Sequence, residues 1–164
     1  MDLGDLNGAP ADAFVEALGG IFEHSPWVAR AVADRRPFAT IDGLHAAMVE
    51  AVRDAGEVAH LDLIRAHPDL GTRLKLSESS TAEQASAGLD QLSPDDFARF
   101  TELNDRYRER FGFPFIIAVR DNTRAQILEA FVRRIGNDRE AEVLTALAQI
   151  ARIARIRLDQ AIAQ

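Results

Sequence analysis

The fold class of this chain depends on one stretch, Phe111-Gly112-Phe113-Pro114-Phe115-Ile116-Ile117-Ala118-Val119. It is the only clear segment in which aromatic and β-branched residues favour an extended conformation. The sequence contains no second apolar run that could pair with it, and an isolated strand is not stable by itself. We therefore predict an extended or irregular buried piece packed among helices, in an all-α protein.

Two interpretations of this stretch remain open at the level of residues. It can be plain hydrophobic core, which is the ordinary fate of such a run. Alternatively, a backbone that is not helical can offer amides and carbonyls to a ligand, since buried backbone groups must find partners.

Helical patterns lie on both sides of the stretch. Ser93 followed by Pro94 predicts the start of a helix that ends near Arg110. Thr123 caps the next helix, which Gly136 closes, and a last helix is expected from about residue 138 to 161.

The N-terminal half reads as further helices. One is expected over residues 9–18, and a second begins at the Ser25-Pro26 cap and runs to about residue 34. Thr40 or Asp42 caps a third, and a short helix after Gly56 leads into His67. The sequence thus predicts a single irregular domain of seven or eight helices over residues 1–164.

The last helix carries an arginine in an unusual position. Its apolar residues recur at helical spacing, and Arg157 leans onto that apolar edge, away from the polar side that holds Arg139 and Gln149. An arginine there needs a partner. A structural ion pair with a carboxylate and an anionic ligand are both open.

A short motif, His67-Pro68-Asp69-Leu70-Gly71, precedes a polar segment through Ser79 that we interpret as a loop over a site. His67 and Pro68 can simply terminate a helix, because proline disfavours a helical residue before it. Ser80-x-x-Glu83 resembles a capping box, which would occupy the Glu83 carboxylate without any ligand. The functional alternative is a proton-transfer site built from these side chains.

Composition limits the classes of function. The 164 residues carry a net charge of −7 and no cysteine, which argues against nucleic-acid or anionic-membrane binding and excludes disulfides. No apolar run approaches the about 18 to 20 residues of a membrane span. The acidic start lacks a signal-peptide pattern, and the last three residues are not a peroxisomal signal, so we expect a cytoplasmic protein.

No phosphate-binding, dinucleotide or zinc motif is present in the sequence. We therefore predict no metal and no cofactor. A site made of His67, Glu83, Gln84 and Arg157 would suit one kind of chemistry. It could grip a small polar anion and move a proton, with histidine as the group that titrates near neutrality.

Four blocks, in order, resemble a known family. They are the His67–Gly71 motif, Ser80-x-x-Glu83-Gln84-x-x-Ala87-Gly88-Leu89, Tyr107-x-x-Arg110 followed by Phe111–Phe115, and Arg157-Leu158. Together they are similar to the 2-oxo-4-hydroxy-4-carboxy-5-ureidoimidazoline (OHCU) decarboxylases, over nearly the whole chain. Asp121-Asn122 departs from the glycine-containing turn common there, which affects only the expected geometry of that loop.

The resemblance implies an all-helical carboxy-lyase that converts OHCU to (S)-allantoin in urate catabolism without a cofactor. It implies His67 as the catalytic, proton-transferring residue. The substrate-binding residues that it implies are Pro68, Ser80, Thr81, Ala82, Glu83, Gln84, Phe115, Ile116, Ile117, Ala118, Val119 and Arg157.

Two rival functions remain. One is a helical protein-binding module whose partner surface would consist of Arg133, Arg134, Arg152 and Arg155. The other is an enzyme of the same fold that acts on a different ureido or hydantoin acid. For either enzyme we expect a small-molecule substrate, neither nucleic acid nor membrane as a partner, and a possible homodimer.

Overall fold

The structure, a computed structural model, describes residues 1–71 and 78–163. Within these ranges the chain forms nine α-helices and three short 3-10 helices. The α-helices are α1 (Leu3–Gly8), α2 (Ala11–Leu18), α3 (Trp27–Val32), α4 (Ile41–Asp54), α5 (Glu57–Arg65), α6 (Glu78–Ser86), α7 (Pro94–Phe111), α8 (Arg124–Ile135) and α9 (Arg139–Ala161). The 3-10 helices are Ala33–Arg35, Leu89–Gln91 and Val119–Asp121.

The all-α prediction is confirmed, since the described residues contain no strand beyond an isolated bridge between Asp2 and Ala163. The expected seven or eight helices omitted α1. That helix is short, and a reciprocal capping box begins it, in which Asp2 and Asp5 each accept the other's backbone N–H. It has little apolar periodicity to reveal it, because Leu6 is its only buried residue.

Three predicted helix starts are confirmed because capping is a local interaction. The Thr40 hydroxyl accepts the Gly43 amide at 3.0 Å, and Ser93 accepts the amide of Asp96 at 3.1 Å. Thr123 forms a full capping box at the start of α8. Each such cap stabilises its helix by about 1 kcal/mol.

Two predicted caps are wrong. The Ser25 hydroxyl donates to the carbonyl of Glu23 at 2.8 Å, and Pro26 precedes α3 without any side-chain cap. Helix α6 begins at Glu78, so Ser80 lies inside its first turn and is not the residue that caps it. Both serines are buried, and at Ser25 a different local hydrogen bond has replaced the cap.

The chain divides into two compact units, Met1–Ala66 with Ala151–Gln164 and His67–Ile150. The first unit packs α3 between α2 and α4, and α4 also contacts α5. Its core is made of fully buried side chains such as Phe14, Val32, Leu44 and Met48. Our assignment of residues 1–164 to one domain stays a prediction.

The second unit is built on an aromatic cluster. Tyr107 of α7 contacts four phenylalanines, at ring-centroid distances of 4.6 to 6.0 Å. Phe115 also stacks on Phe131 of α8 at 3.9 Å. Aromatic pairs contribute about 0.5–1.5 kcal/mol each beyond their burial. The cluster holds the run from Phe113 to Val119 in the interior in a non-helical conformation as far as Ala118, as the sequence predicts.

Among the described residues, none of the helices combines the length and the apolar character that crossing a bilayer requires.

Candidate active site

The His67–Gly71 motif forms a buried turn that α7 holds in place. His67 is 7% exposed, and Asp69 next to it is 9% exposed. Arg108 of α7 donates its Nε to the Asp69 carboxylate at 3.0 Å, and Asn104, one turn earlier, donates to the Leu70 carbonyl at 2.7 Å. Two side chains of one helix therefore fix the backbone that follows His67.

Gly71 closes this turn, and only glycine fits there. Its φ is +64°, a conformation that residues with a side chain rarely adopt. A Cβ at this position would also lie 2.8 Å from Leu92 Cδ1 and 3.3 Å from Phe100 Cγ. The Gly71 N–H donates to Gln84 Oε1 at 3.0 Å, which joins the turn to helix α6.

Helix α6 turns a polar face inward. Ser80, Glu83 and Gln84 are 5%, 8% and 6% exposed, and their spacing of three and four residues places them on one side of a helix. Thr81 and Ala82 lie on its exposed side. Buried polar side chains need polar partners, and Gln84 has one in the Gly71 N–H. A face of this kind can also present polar groups to a ligand.

The run from Phe115 to Val119 is the third wall of this region. All five residues are buried, between 1% and 7% exposed. The 3-10 helix Val119–Asp121 that ends the run packs against α6. The second unit therefore brings three predicted segments together: the turn after His67, the polar face of α6 and the end of the extended run. Of the loop predicted through Ser79, residues 72–77 lie outside the described residues, and the prediction is wrong for Glu78 and Ser79, which belong to α6.

Three side chains bind the backbone of this run from its reverse side. They come from α8, from α9 and from the turn that follows the run. Arg134 Nη1 donates to the Ile116 carbonyl at 2.7 Å, and the Ala118 N–H donates to Gln149 Oε1 at 2.9 Å. Asn122 Nδ2 donates to the Ala118 carbonyl at 2.8 Å. The sequence places Gln149 on the polar side of the last helix. It does not predict the hydrogen bond between Gln149 and Ala118, which joins residues 31 positions apart.

Arg157 belongs to the first unit, where it forms a buried ion pair. Its Nη2 donates to Glu23 Oε2 at 2.8 Å, and its Nη1 lies 3.3 Å and 3.4 Å from the carbonyls of Gly20 and Ile21. The arginine is 5% exposed and the glutamate 2%. The structural ion pair, one of the two interpretations of Arg157, is therefore present, and its contact with a ligand stays a prediction.

Sequence reasoning missed Glu23 because the pair spans 134 positions. One signal was available, since an arginine on an apolar helix edge requires a carboxylate. Glu23 lies two residues before the predicted helix start at Ser25.

A second buried arginine, Arg134, is part of a network in the second unit. Its Nε donates to Glu142 Oε1 at 2.9 Å, and Tyr107 donates its hydroxyl to the same oxygen at 2.6 Å. Burial, followed by the hydrogen bond to the Glu142 carboxylate, raises the pKa of Tyr107 far above its ordinary value. Arg134 is only 4% exposed, so the predicted partner surface was wrong to include it.

No cluster of three or more histidine, cysteine, aspartate or glutamate side chains with the geometry of a metal site occurs within residues 1–71 and 78–163.

The fold and this region define an all-helical protein in which a buried turn, the buried polar face of a helix and a buried extended run lie together. The OHCU decarboxylase family model matches residues 7–159. Two archaeal proteins named 2-oxo-4-hydroxy-4-carboxy-5-ureidoimidazoline decarboxylase are each 47% identical to the chain. The protein from Halalkalicoccus jeotgali aligns over 95% of this chain and 89% of its own length, and the one from Haloferax volcanii over 98% and 95%.

A crystal structure of (S)-allantoin synthase superposes with a TM-score of 0.82 at 34% identity, covering 99% of this chain and 54% of that one. The present chain thus spans about half the length of that synthase. The chain belongs to the OHCU decarboxylase family.

Proposed function

We infer that this protein is a carboxy-lyase that decarboxylates OHCU to (S)-allantoin in urate catabolism. Family membership and relatives of that name at 47% identity support the reaction. One observation supports the location of the proposed site. The Gly71 N–H to Gln84 Oε1 hydrogen bond of 3.0 Å joins the turn after His67 to the buried polar face of α6.

In the mechanism that we propose, the chemistry needs no electron sink beyond the substrate. The OHCU carboxylate is attached to a carbon next to a ring C=N group. When the C–C bond to CO2 breaks, its electron pair enters that C=N group and gives an enamine-like intermediate. The ring nitrogen and one face of the former C=N carbon then each gain a proton, the hydroxyl loses its proton as it becomes the carbonyl of allantoin, and the one net proton that replaces CO2 comes from solvent. His67 exchanges a proton with that hydroxyl or with the intermediate, because imidazole titrates near neutral pH.

The buried face of α6 orients the substrate. Gln84 Oε1 already accepts the Gly71 amide, so the two donors on its Nε2 are the groups that it offers to a ureido or ring carbonyl. Ser80 and Glu83 on the same face bind neighbouring polar groups of the substrate, and Pro68 lines the pocket beside His67. Thr81 and Ala82 remain in the proposed substrate-binding set. In this proposal they contact the substrate with their backbone, because their side chains lie on the exposed face of the helix.

The extended run contributes its backbone. Successive residues of an extended chain direct their amides and carbonyls to opposite sides. The Ile116 carbonyl and both backbone groups of Ala118 are bonded to side chains behind the run. The amides of Ile117 and Val119 therefore point to the other side, where they hydrogen-bond the substrate, and the side chain of Phe115 supports the run from the core.

Arg157 binds the carboxylate or the ureido end of the substrate in this proposal. A guanidinium offers five donors in one plane, so a contact with Glu23 is compatible with further contacts. Glu23 then fixes the plane of the group that meets the substrate.

The test is circular dichroism of urate during oxidation by uricase and hydroxyisourate hydrolase, with and without this protein. We expect rapid appearance of the (S)-allantoin signal, and its loss with His67→Asn although substrate binding is retained. His60→Asn is the matched control, since the His60 ring hydrogen-bonds the backbone carbonyl of Val52 at 2.6 Å and has no assigned role in the reaction. Racemic product formed at the spontaneous rate with the wild-type protein would refute the function, and full turnover by His67→Asn would refute the role of His67.

We further propose that residues 1–164 act as one domain in the cytoplasm and that the protein is a homodimer. Light scattering of the purified protein tests the dimer, and a monomeric mass at micromolar concentration would contradict it.

A further inference from the structure

The substrate-facing run has a reverse side that the proposed mechanism does not use. Three side chains behind it bind three backbone groups within residues 116–118. Arg134 and Asn122 donate to carbonyls, and Gln149 accepts the Ala118 amide. These bonds fix the rotation of the run about its own axis, which decides where the amides of Ile117 and Val119 point.

Arg134 is a rigid member of this group. Its guanidinium lies over the Phe115 ring at 4.3 Å and is paired with Glu142, which is 0% exposed. Replacing it would disturb the core of the second unit, so it cannot separate positioning from folding.

Gln149 differs from Arg134 in its surroundings. It is only half-buried, and it lines an open cleft of about 380 Å³ together with Asn122, Gln126, Thr145 and other residues of the same unit. A side chain of similar length can replace it without entering the core, because the cleft provides room. Its hydrogen bond to Ala118 is the contact behind the run that is most easily removed alone.

We propose that Gln149 is a positioning residue for the decarboxylation. It holds the Ala118 amide and thereby sets the direction of the neighbouring Ile117 and Val119 amides toward the substrate. This inference rests on the proposed function and extends it to a residue outside the site. Without this bond, the run samples several orientations, and the substrate must select the competent one, which lowers its apparent affinity.

The test uses Gln149→Met, which keeps the length of the side chain and removes the strong acceptor. We expect KM for OHCU to rise about five- to tenfold, because apparent affinity falls in proportion to the competent fraction. Gln149→Glu retains an acceptor oxygen and should keep KM within about twofold of wild type, measured at 0.15 M salt to screen the added charge. Gln160→Met, an exposed position on the same helix, is the matched control.

A merely structural role gives a different pattern. If Gln149 only stabilised the fold, its loss would lower the folded fraction and thus the apparent kcat, with KM unchanged. Amide hydrogen exchange provides a readout without substrate: the Ala118 N–H should exchange faster in Gln149→Met and at the wild-type rate in Gln160→Met.

An unchanged KM in Gln149→Met, or an equal rise in Gln149→Met and Gln149→Glu, would overturn the inference while leaving the proposed function intact. Absence of OHCU turnover by the wild-type protein would instead refute the proposed function itself. The two failures are therefore distinguishable.

Discussion

The two buried arginine–glutamate pairs of this protein look almost the same when only distance and exposure are considered. Arg134–Glu142 lies in the second unit at 2.9 Å, and Arg157–Glu23 lies in the first at 2.8 Å. In both, the arginine side chain is 5% exposed, and the glutamate side chains are 0% and 1% exposed.

Their surroundings differ. Glu142 accepts from Tyr107 of α7, from Arg134 of α8 and from Asn137 in the turn before α9, and the pair with Arg134 spans eight positions. Glu23 follows a loop whose carbonyls at Gly20 and Ile21 also face Arg157. The next residue, His24, has a φ of +46°, which is rare for a residue with a side chain. Glu142 therefore belongs to a network of side chains, whereas Arg157 meets the carbonyls of a loop as well as its carboxylate.

The comparison predicts that the two pairs fail in different ways. Breaking either should cost stability, since a lone buried charge destabilises a protein by about 3–5 kcal/mol. Only the Arg157 pair should also be required for catalysis.

The largest effect is expected for Arg157→Met. We expect kcat/KM to fall about a thousandfold, because a desolvated charged contact with an anion contributes about 2–5 kcal/mol. The double variant Arg157→Met/Glu23→Leu removes the unpaired carboxylate and should regain stability while it stays inactive. Urea unfolding and the circular dichroism assay measure the two quantities. Recovery of activity in the double variant would show that Arg157 has only a structural role.

The next effect is mainly on stability. Glu142→Leu leaves Arg134 unpaired in the core and should lower the free energy of unfolding by about 3–5 kcal/mol. KM of the remaining folded enzyme should rise less than in Gln149→Met, because the Arg134 Nη1 bond to the Ile116 carbonyl does not involve Glu142. Glu140→Leu, at an exposed position of the same helix, is the control for urea unfolding. If the control lost as much stability as Glu142→Leu, the network would not be the cause.

A smaller effect is expected for Tyr107→Phe. Removing a hydrogen bond to a carboxylate costs about 1.5–3 kcal/mol. The effect should depend on pH, because folding raises the pKa of Tyr107. In the unfolded chain this phenol ionises near its ordinary value of about 10, while the folded protein keeps it protonated. Its contribution is therefore complete below that pH and is lost as the pH rises above it.

Tyr107 is the only tyrosine, which makes this titration visible. A phenol in water ionises at about pH 10. Above that pH the folded protein should show no phenolate absorbance, and the absorbance should appear only when the protein unfolds. The alkaline loss of stability should be weaker in Tyr107→Phe than in wild type. Reversible phenolate formation in the folded protein near the ordinary value would contradict the prediction.

The smallest effect belongs to an arginine at the surface. Arg155 contacts Asp42 and Asp159, and the Asp42 side chain is 79% exposed. Arg155→Gln should change the free energy of unfolding by less than about 1 kcal/mol, because solvent and salt weaken exposed pairs. Thermal unfolding at low and high salt measures it. A loss of unfolding free energy as large as that of Glu142→Leu would mean that burial does not explain why exposed and buried ion pairs differ in stability.

The sequence predicted the parts of the fold that depend on near neighbours. The caps at Thr40, Ser93 and Thr123 were correct because donor and acceptor lie three residues apart. The caps at Ser25 and Ser80 were wrong because a serine hydroxyl has several nearby backbone groups to choose from: Ser25 bonds to the Glu23 carbonyl instead, and α6 begins before Ser80. The buried run before Val119 was predicted from the absence of a partner strand.

For the candidate site, the family resemblance named residues that single-sequence physics left open. The structure adds contacts that no spacing reveals, such as Gly71 with Gln84 and Gln149 with Ala118. Neither contact follows from helical periodicity, since each joins a helix to a backbone group in a turn or an extended segment.

By itself, the sequence determined the all-helical class and three of the helix starts, because period, capping and composition are properties of short segments. The candidate set centred on His67 came from the family resemblance and stays a prediction. Only the tertiary structure decided which carboxylate each buried arginine meets. Glu23 and Arg157 are 134 positions apart, and a charge selects its buried partner by the cost of leaving water, which exists only after the chain has packed.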